Sequence, residues 1–196
     1  MSAGTASSRP VVAIIGATGA VGVELIRCLE RRRFPLRELR LFASARSAGR
    51  TLPFGGESLP VRELTESSFA GVDIALFSAG GGTSKRFAPL AVRAGATVVD
   101  NSSAFRMDSN VPLVVPEINP QALRGHAGII ANPNCCAIIS ITPLWPIHKA
   151  NRIERLQMAT YQAASGAGAA AMEELRESTR AYLDAREYEN KVLPHP

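Results

Sequence analysis

The stretch Val11-Val12-Ala13-Ile14-Ile15-Gly16-Ala17-Thr18-Gly19-Ala20-Val21-Gly22 decides the reading of the fold. Five small or β-branched apolar residues in a row suit a strand buried on both faces, as in a parallel sheet covered by helices. Beyond the last glycine, Val23, Ile26 and Leu29 or Glu30 recur at helical spacing to about residue 33, and Pro35 lies past the end. A strand, a glycine turn and a helix form the context of a dinucleotide fingerprint. Without Cβ atoms the backbone of Gly16, Gly19 and Gly22 turns tightly and admits a pyrophosphate, which rests on the helix's free N–H groups. The spacing is G-x-x-G-x-x-G rather than G-x-G-x-x-G, and glycines at such a turn also serve as plain structural spacers.

Outward from this unit the pattern repeats. Residues 39–43 and 72–77 read as strands, the latter running into the glycine-rich Ser78-Ala79-Gly80-Gly81. Residues 84–93 read as a helix weakened or kinked by Pro89. A strand over 97–100 follows, then short apolar pieces at 113–115 and 128–131. Alternating strands and helices predict an α/β fold, an open, Rossmann-like, doubly wound parallel sheet with right-handed crossovers. The character changes at Asn132-Pro133-Asn134-Cys135-Cys136, so the domain boundary is placed near residue 131. A helix is expected from the cysteines towards Lys149, interrupted by Pro143 and Pro146, then an alternating strand within 152–164. An alanine-rich helix opens at Ser165-Gly166-Ala167-Gly168 and runs to about residue 186, with Met172, Leu175, Thr179 and Tyr182 or Leu183 along one face.

With 196 residues, 46% of them apolar, the chain has enough material for a substantial core; it is large for one domain and small for two. No apolar run reaches the roughly 18 residues of a membrane span, so no membrane partner is expected. Residues 1–10 are small and polar and read as a frayed tail without a secretory signal. Cys28, Cys135 and Cys136 offer no paired framework, which points to a reducing, cytoplasmic setting. The net charge of +5 comes largely from an arginine-rich stretch over 27–50 with no aromatic platform beside it. That suits a solvated surface with one anionic-cofactor contact better than a nucleic-acid groove. His126 and His148 have no partners at ligand spacing, so no metal is expected.

Three places carry candidate chemistry. At the end of the second strand, where an NAD site places a carboxylate for the ribose, the chain reads Ala43-Ser44-Ala45-Arg46-Ser47. An arginine and two hydroxyls suit the 2′-phosphate of NADP; the plain alternative is an exposed loop arginine. Cys135 falls at the expected start of a helix, after residues that favour a turn and a cap, and such a position favours a thiolate over a thiol. The alternative, a small buried hydrophobe, is preferred for Cys28 and for Cys136, which points about 100° further round the helix. Arg106 and Gln162 are weaker: an anion-holding arginine among loop donors, and an amide able to orient a carboxylate or carbonyl.

Seven ordered blocks resemble the aspartate-semialdehyde dehydrogenase family: GATGAVG at 16–22, ASARSAG at 43–49, DIALFSAGG at 73–81, VVDNSSAFRM at 98–107, VPLVVPEIN at 111–119, NPNCCAI at 132–138 and YQAASGAG at 161–168. The resemblance implies NADP-linked interconversion of L-aspartyl 4-phosphate and L-aspartate 4-semialdehyde through a cysteine thioester, in lysine, threonine and methionine synthesis. It implies an NADP-binding domain over 11–131 and the first part of an α+β catalytic and dimerisation domain over 132–196. It places the nucleophile on Cys135, phosphate binding on Arg106 and substrate orientation on Gln162, with Asn134 a candidate for holding the oxyanion. Cofactor contacts fall on Thr18, Gly19, Ala20, Val21, Arg46, Ser47, Ser165 and Gly166. A small-molecule substrate, phosphate and a homo-oligomeric full-length form are the implied partners.

The chain departs from that family in two ways. Cys136 stands where many members carry Ser or Thr. The family's acid–base histidine, its substrate-carboxylate arginine and much of its second domain fall beyond Pro196, and His195 is not assumed to substitute. The expectation is therefore a fragment without full activity. Two rivals stay open. An N-acetyl-glutamyl-phosphate reductase shares the thioester logic but favours an aromatic residue where this chain has Ala20. A nucleotide-binding module without catalysis is the other.

Overall fold

The computed structural model describes residues 9–193, so residues 1–8 of the expected tail and His195 lie outside the described residues. The chain divides into two compact units, residues 1–153 and 154–196.

The first unit is built on a sheet of seven strands: β1 Val11–Ile15, β2 Glu38–Ala43, β3 Thr51–Phe54, β4 Glu57–Glu63, β5 Ile74–Phe77, β6 Thr97–Asp100 and β7 Ile129–Ala131. Their order is β3-β4-β2-β1-β5-β6-β7, with every pair parallel except β3 with β4. The expected doubly wound sheet is what forms. Helices α1 Ala20–Arg31, α2 Gly81–Arg93 and α3 Cys135–Ala150 follow β1, β5 and β7.

β1 is buried along its whole length because it is covered on both faces. Successive side chains of a strand point to opposite sides. Val11, Ala13 and Ile15 accordingly join Phe69, Phe77, Phe87 and Val98 in one core cluster. Val12 and Ile14 join Ile26 of α1, Leu39, Leu41 and Val61 in the other. A pure apolar run was thus a faithful signal of a central strand.

Three readings need correction. Residues 51–63 form a hairpin that the sequence pattern did not suggest. Pro53 and Pro60 argue against a strand interior, but β3, which holds Pro53, is an edge strand, and Pro60 lies just before the part of β4 that pairs with β2, which begins at Val61; Gly55 and Gly56 at φ +62° and +84° make the tight turn. The strand expected within 152–164 does not form. Residues 152–163 have no regular structure, Leu156 and Met158 are about half exposed, and Tyr161 is fully exposed. A strand gains its hydrogen bonds from a neighbour, and no described residue pairs there. The first helix begins at Ala20, inside the glycine motif rather than after it.

The second unit contains a 3₁₀ turn, Ala164–Ala167, and α4, Ala169–Leu183. Its buried residues are Ala171, Glu174 and Ala181, whereas Leu175, Tyr182 and Leu183, from the expected apolar face, are exposed. The buried carboxylate is satisfied by chain that folds back: the amides of Val192 (2.9 Å) and Leu193 (2.6 Å), and that of Lys191, donate to Glu174. Burial raises the Glu174 carboxyl, but those amides and the Lys191 charge outweigh it, leaving it below the ordinary value of 4.5. A carboxyl lowered on folding adds stability above its unfolded value and loses it as pH falls through the folded one. The stability difference between this protein and Glu174→Gln is therefore expected to be full at pH 7, to shrink below pH 4.5 and to vanish in stronger acid, read from unfolding midpoints across pH. A constant difference would place the stabilisation elsewhere. Among the described residues no helix is long and apolar enough to cross a membrane.

Candidate functional site

The parallel strands all end on one edge of the sheet, and the chain order reverses between β1 and β5. Ligands of open α/β sheets bind outside the strand ends at such a switch point.

The loop after β1 is anchored by Gly16 and Ala17 amides donating to the Phe42 carbonyl (2.9 and 3.1 Å). A Cβ on Gly16 would lie 2.7 Å from the Ser78 carbonyl carbon, and one on Gly22 would lie 2.8 Å from the Ala17 Cα. The space beside these two glycines is taken by the chain itself. Gly19 is different: its Cβ would meet only the Gly16 oxygen, at 3.3 Å, and Ala20 and Val21 beside it are exposed. The first-turn amides of α1 have no intrahelical acceptor. The open, donor-rich surface is therefore Thr18 to Val21.

After β2 comes a single 3₁₀ turn, Ala45–Ser47, with Arg46 exposed and Ser47 half-buried. Arg46 pairs with no carboxylate among the described residues. Glu38 lies at the other end of β2, where its bond from Arg40 (2.8 Å) holds its carboxyl below the usual range. It is not placed to take a ribose. Free amides beside an uncompensated arginine fit a phosphorylated dinucleotide.

Further along the edge, the ends of β6 and β7 are tied together. Asp100 is fully buried and accepts from Ser84 Oγ (2.6 Å), Ser102 Oγ (2.7 Å) and the Ser102 amide (3.2 Å), which sets the path of the loop over residues 101–106. The Asn132 amide donates to the Asp100 carbonyl (2.8 Å) and Asn132 Nδ2 to Asn101 Oδ1 (2.7 Å). Arg106 reaches across: Nε donates to the Asn132 carbonyl (2.9 Å) and Nη2 to the Asn101 carbonyl (3.0 Å). Neither Asp100, Asn132 nor Ser84 stood out in the sequence, because each works through partners distant in the chain.

Three residues past Asn132, α3 begins. Asn134 is its N-cap, and its side-chain oxygen accepts from the Cys136 amide (2.8 Å). Cys135 is exposed at the first helical position, Cys136 is half-buried, and Cys28 is half-buried in α1. The amides of Cys135 and Ala137 belong to the helix's unsatisfied first turn. β7 stands three strand spacings from β1, roughly 14 Å. The edge thus runs from Arg46 through the glycine loop to Arg106 and Cys135. Gln162, Ser165 and Gly166 lie in the second unit, where Gly166 is close-packed on the Gln162 side chain: a Cβ there would sit 3.3 Å from its Cδ.

Comparison with known proteins bears on this arrangement. Residues 11–126 match the family model described as semialdehyde dehydrogenase, NAD binding domain, and residues 144–196 match semialdehyde dehydrogenase, dimerisation domain. The chain is 56% identical to an aspartate-semialdehyde dehydrogenase of Synechocystis sp. over 94% of this chain and 55% of that protein. It is 51% identical to one of Bacillus subtilis, over 93% and 53%. Among solved structures, aspartate semialdehyde dehydrogenase II from Vibrio cholerae, complexed with ASA, superposes with a TM-score of 0.88 at 45% identity, covering 96% of this chain and 57% of that one. The chain spans about half the length of the curated relatives it matches.

Proposed function

This chain belongs to the semialdehyde dehydrogenase family, and from that premise we propose that it carries the cofactor-binding and thiol-bearing part of an enzyme that converts L-aspartyl 4-phosphate to L-aspartate 4-semialdehyde. The observation that carries this reading is the position of Cys135: exposed, first in its helix, and joined through Asn132 to a loop that offers Arg106.

The Cys135 thiolate attacks the acyl carbon; a C–S bond forms and the C–O bond to phosphate breaks. Arg106 takes up charge on the departing phosphate, and the first-turn amides of α3 with the Asn134 side chain receive the carbonyl oxygen. Gln162 orients the acyl group. NADPH, when bound, supplies the two-electron reduction of the thioester to the aldehyde. Thr18, Gly19, Ala20 and Val21 would hold its pyrophosphate and Arg46 and Ser47 its 2′-phosphate, with Ser165 and Gly166 as further cofactor contacts. The product serves lysine, threonine and methionine synthesis. The match to a dimerisation domain supports a homo-oligomer, and three unbridged thiols suit the cytoplasm.

The direct test is incubation of the protein with L-aspartyl 4-phosphate or N-acetyl-glutamyl phosphate, following phosphate release and the mass added to Cys135. Adduct from the first alone is the expected outcome; adduct from the second alone would transfer the chain to the other reductase. For the cofactor, Arg46→Ala is expected to weaken NADPH about tenfold or more while changing NADH less than about threefold. Equal losses, measured by fluorescence titration, would remove Arg46 from the 2′-phosphate site.

A further inference from the structure

Arg106 is held by neutral groups. Two of its five N–H donors go to the backbone carbonyls of Asn132 and Asn101, and no carboxylate pairs with it among the described residues. Those carbonyls come from loops of different strands, joined by the bond between the Asn132 and Asn101 side chains. A carboxylate would grip a half-buried guanidinium more strongly, but it would neutralise the charge. The two carboxylates nearest in sequence are occupied elsewhere: Asp108 accepts from the Asn110 amide, and the oxygens of Asp100 are taken by Ser84 and Ser102.

We propose that Asn101 and Asn132 are positioning residues, a neutral clamp that orients Arg106 and leaves its charge free for an anionic phosphoryl group. This rests on the reading of Arg106 as the anion-binding residue. Both amides matter for what they are not. They close the gap between two loops with hydrogen bonds alone.

The test follows alkylation of Cys135 by iodoacetamide in rising inorganic phosphate. Phosphate seated on Arg106 is expected to slow the reaction saturably, and Arg106→Leu to raise the midpoint at least about tenfold. Asn132→Asp isolates charge: with the Asn101 amide turned over, the side-chain bond survives, but a carboxylate now stands on the residue whose carbonyl holds Arg106. Its midpoint is expected to rise about tenfold, with the rate in the absence of phosphate changed less than about threefold. Asn101→Ala isolates the bond and is expected to raise the midpoint about threefold. A purely structural role would move the phosphate-free rate and the midpoint together. If Arg106→Leu shifts the midpoint and neither asparagine variant does, the clamp is wrong and the anion site stands. An unmoved midpoint in Arg106→Leu overturns both.

Discussion

Replacing Cys135 with alanine abolishes covalent capture of the acyl group, and phosphate release from the acyl phosphate falls at least about a thousandfold. The two adjacent thiols differ in exposure and in what surrounds them. Cys135 opens the helix and faces solvent, whereas Cys136 is half-buried and its amide is committed to the Asn134 cap. That cap and the Ser140 bond to the Cys136 carbonyl involve only main-chain atoms of Cys136, so both survive in Cys136→Ala. Cys136→Ala is accordingly expected to keep phosphate release within about threefold of the parent. Mass spectrometry of the intact protein after exposure to acyl phosphate separates the two variants. Equal loss from both, or an adduct that persists in Cys135→Ala, would remove Cys135 as the nucleophile.

Gly16→Ala is expected to destabilise the first unit by about 3 kcal/mol or more, with loss of cofactor binding as a consequence. Gly16 has φ +87°, and its missing side chain is where the Ser78 carbonyl lies, against the turn that follows β5. The added Cβ must push apart β1 and β5, the two strands that flank the switch point. Gly49 supplies the control, with nearly the same φ, +85°, and nothing within 4 Å of a built Cβ. Gly49→Ala bears backbone strain alone, about 1 to 2 kcal/mol. The difference between the two urea midpoints reads the steric part. Similar values for both would mean that the two turns do not pack as described.

Much of the fold was legible because it rests on local patterns. The β1 run, the ends of β2 and β6 and the Asn134 cap each declare themselves within a few residues. The β3–β4 hairpin was hidden by two prolines that it tolerates, Pro53 on the edge strand and Pro60 just outside the pairing with β2. The strand expected within 152–164 failed for the opposite reason: an alternating pattern needs a neighbouring strand, and alternation cannot supply one. In α4 the apolar stripe pointed to Leu175 and Tyr182, yet a carboxylate and two alanines are buried, because the returning chain donates amides to Glu174.

By itself the sequence determined the doubly wound sheet, the glycine turn, the arginine after β2 and a cysteine at a helix start. Each depends on residues close together in the chain. Only the tertiary structure decided that Gly16 makes room for Ser78 and that Asn101, Asn132 and Arg106 meet across two loops beside Cys135. The physical reason is register. Asp100 pairs with Ala131 across β6 and β7, so the residues that follow each strand are brought together by a hydrogen-bonded ladder whose partners lie some thirty positions apart.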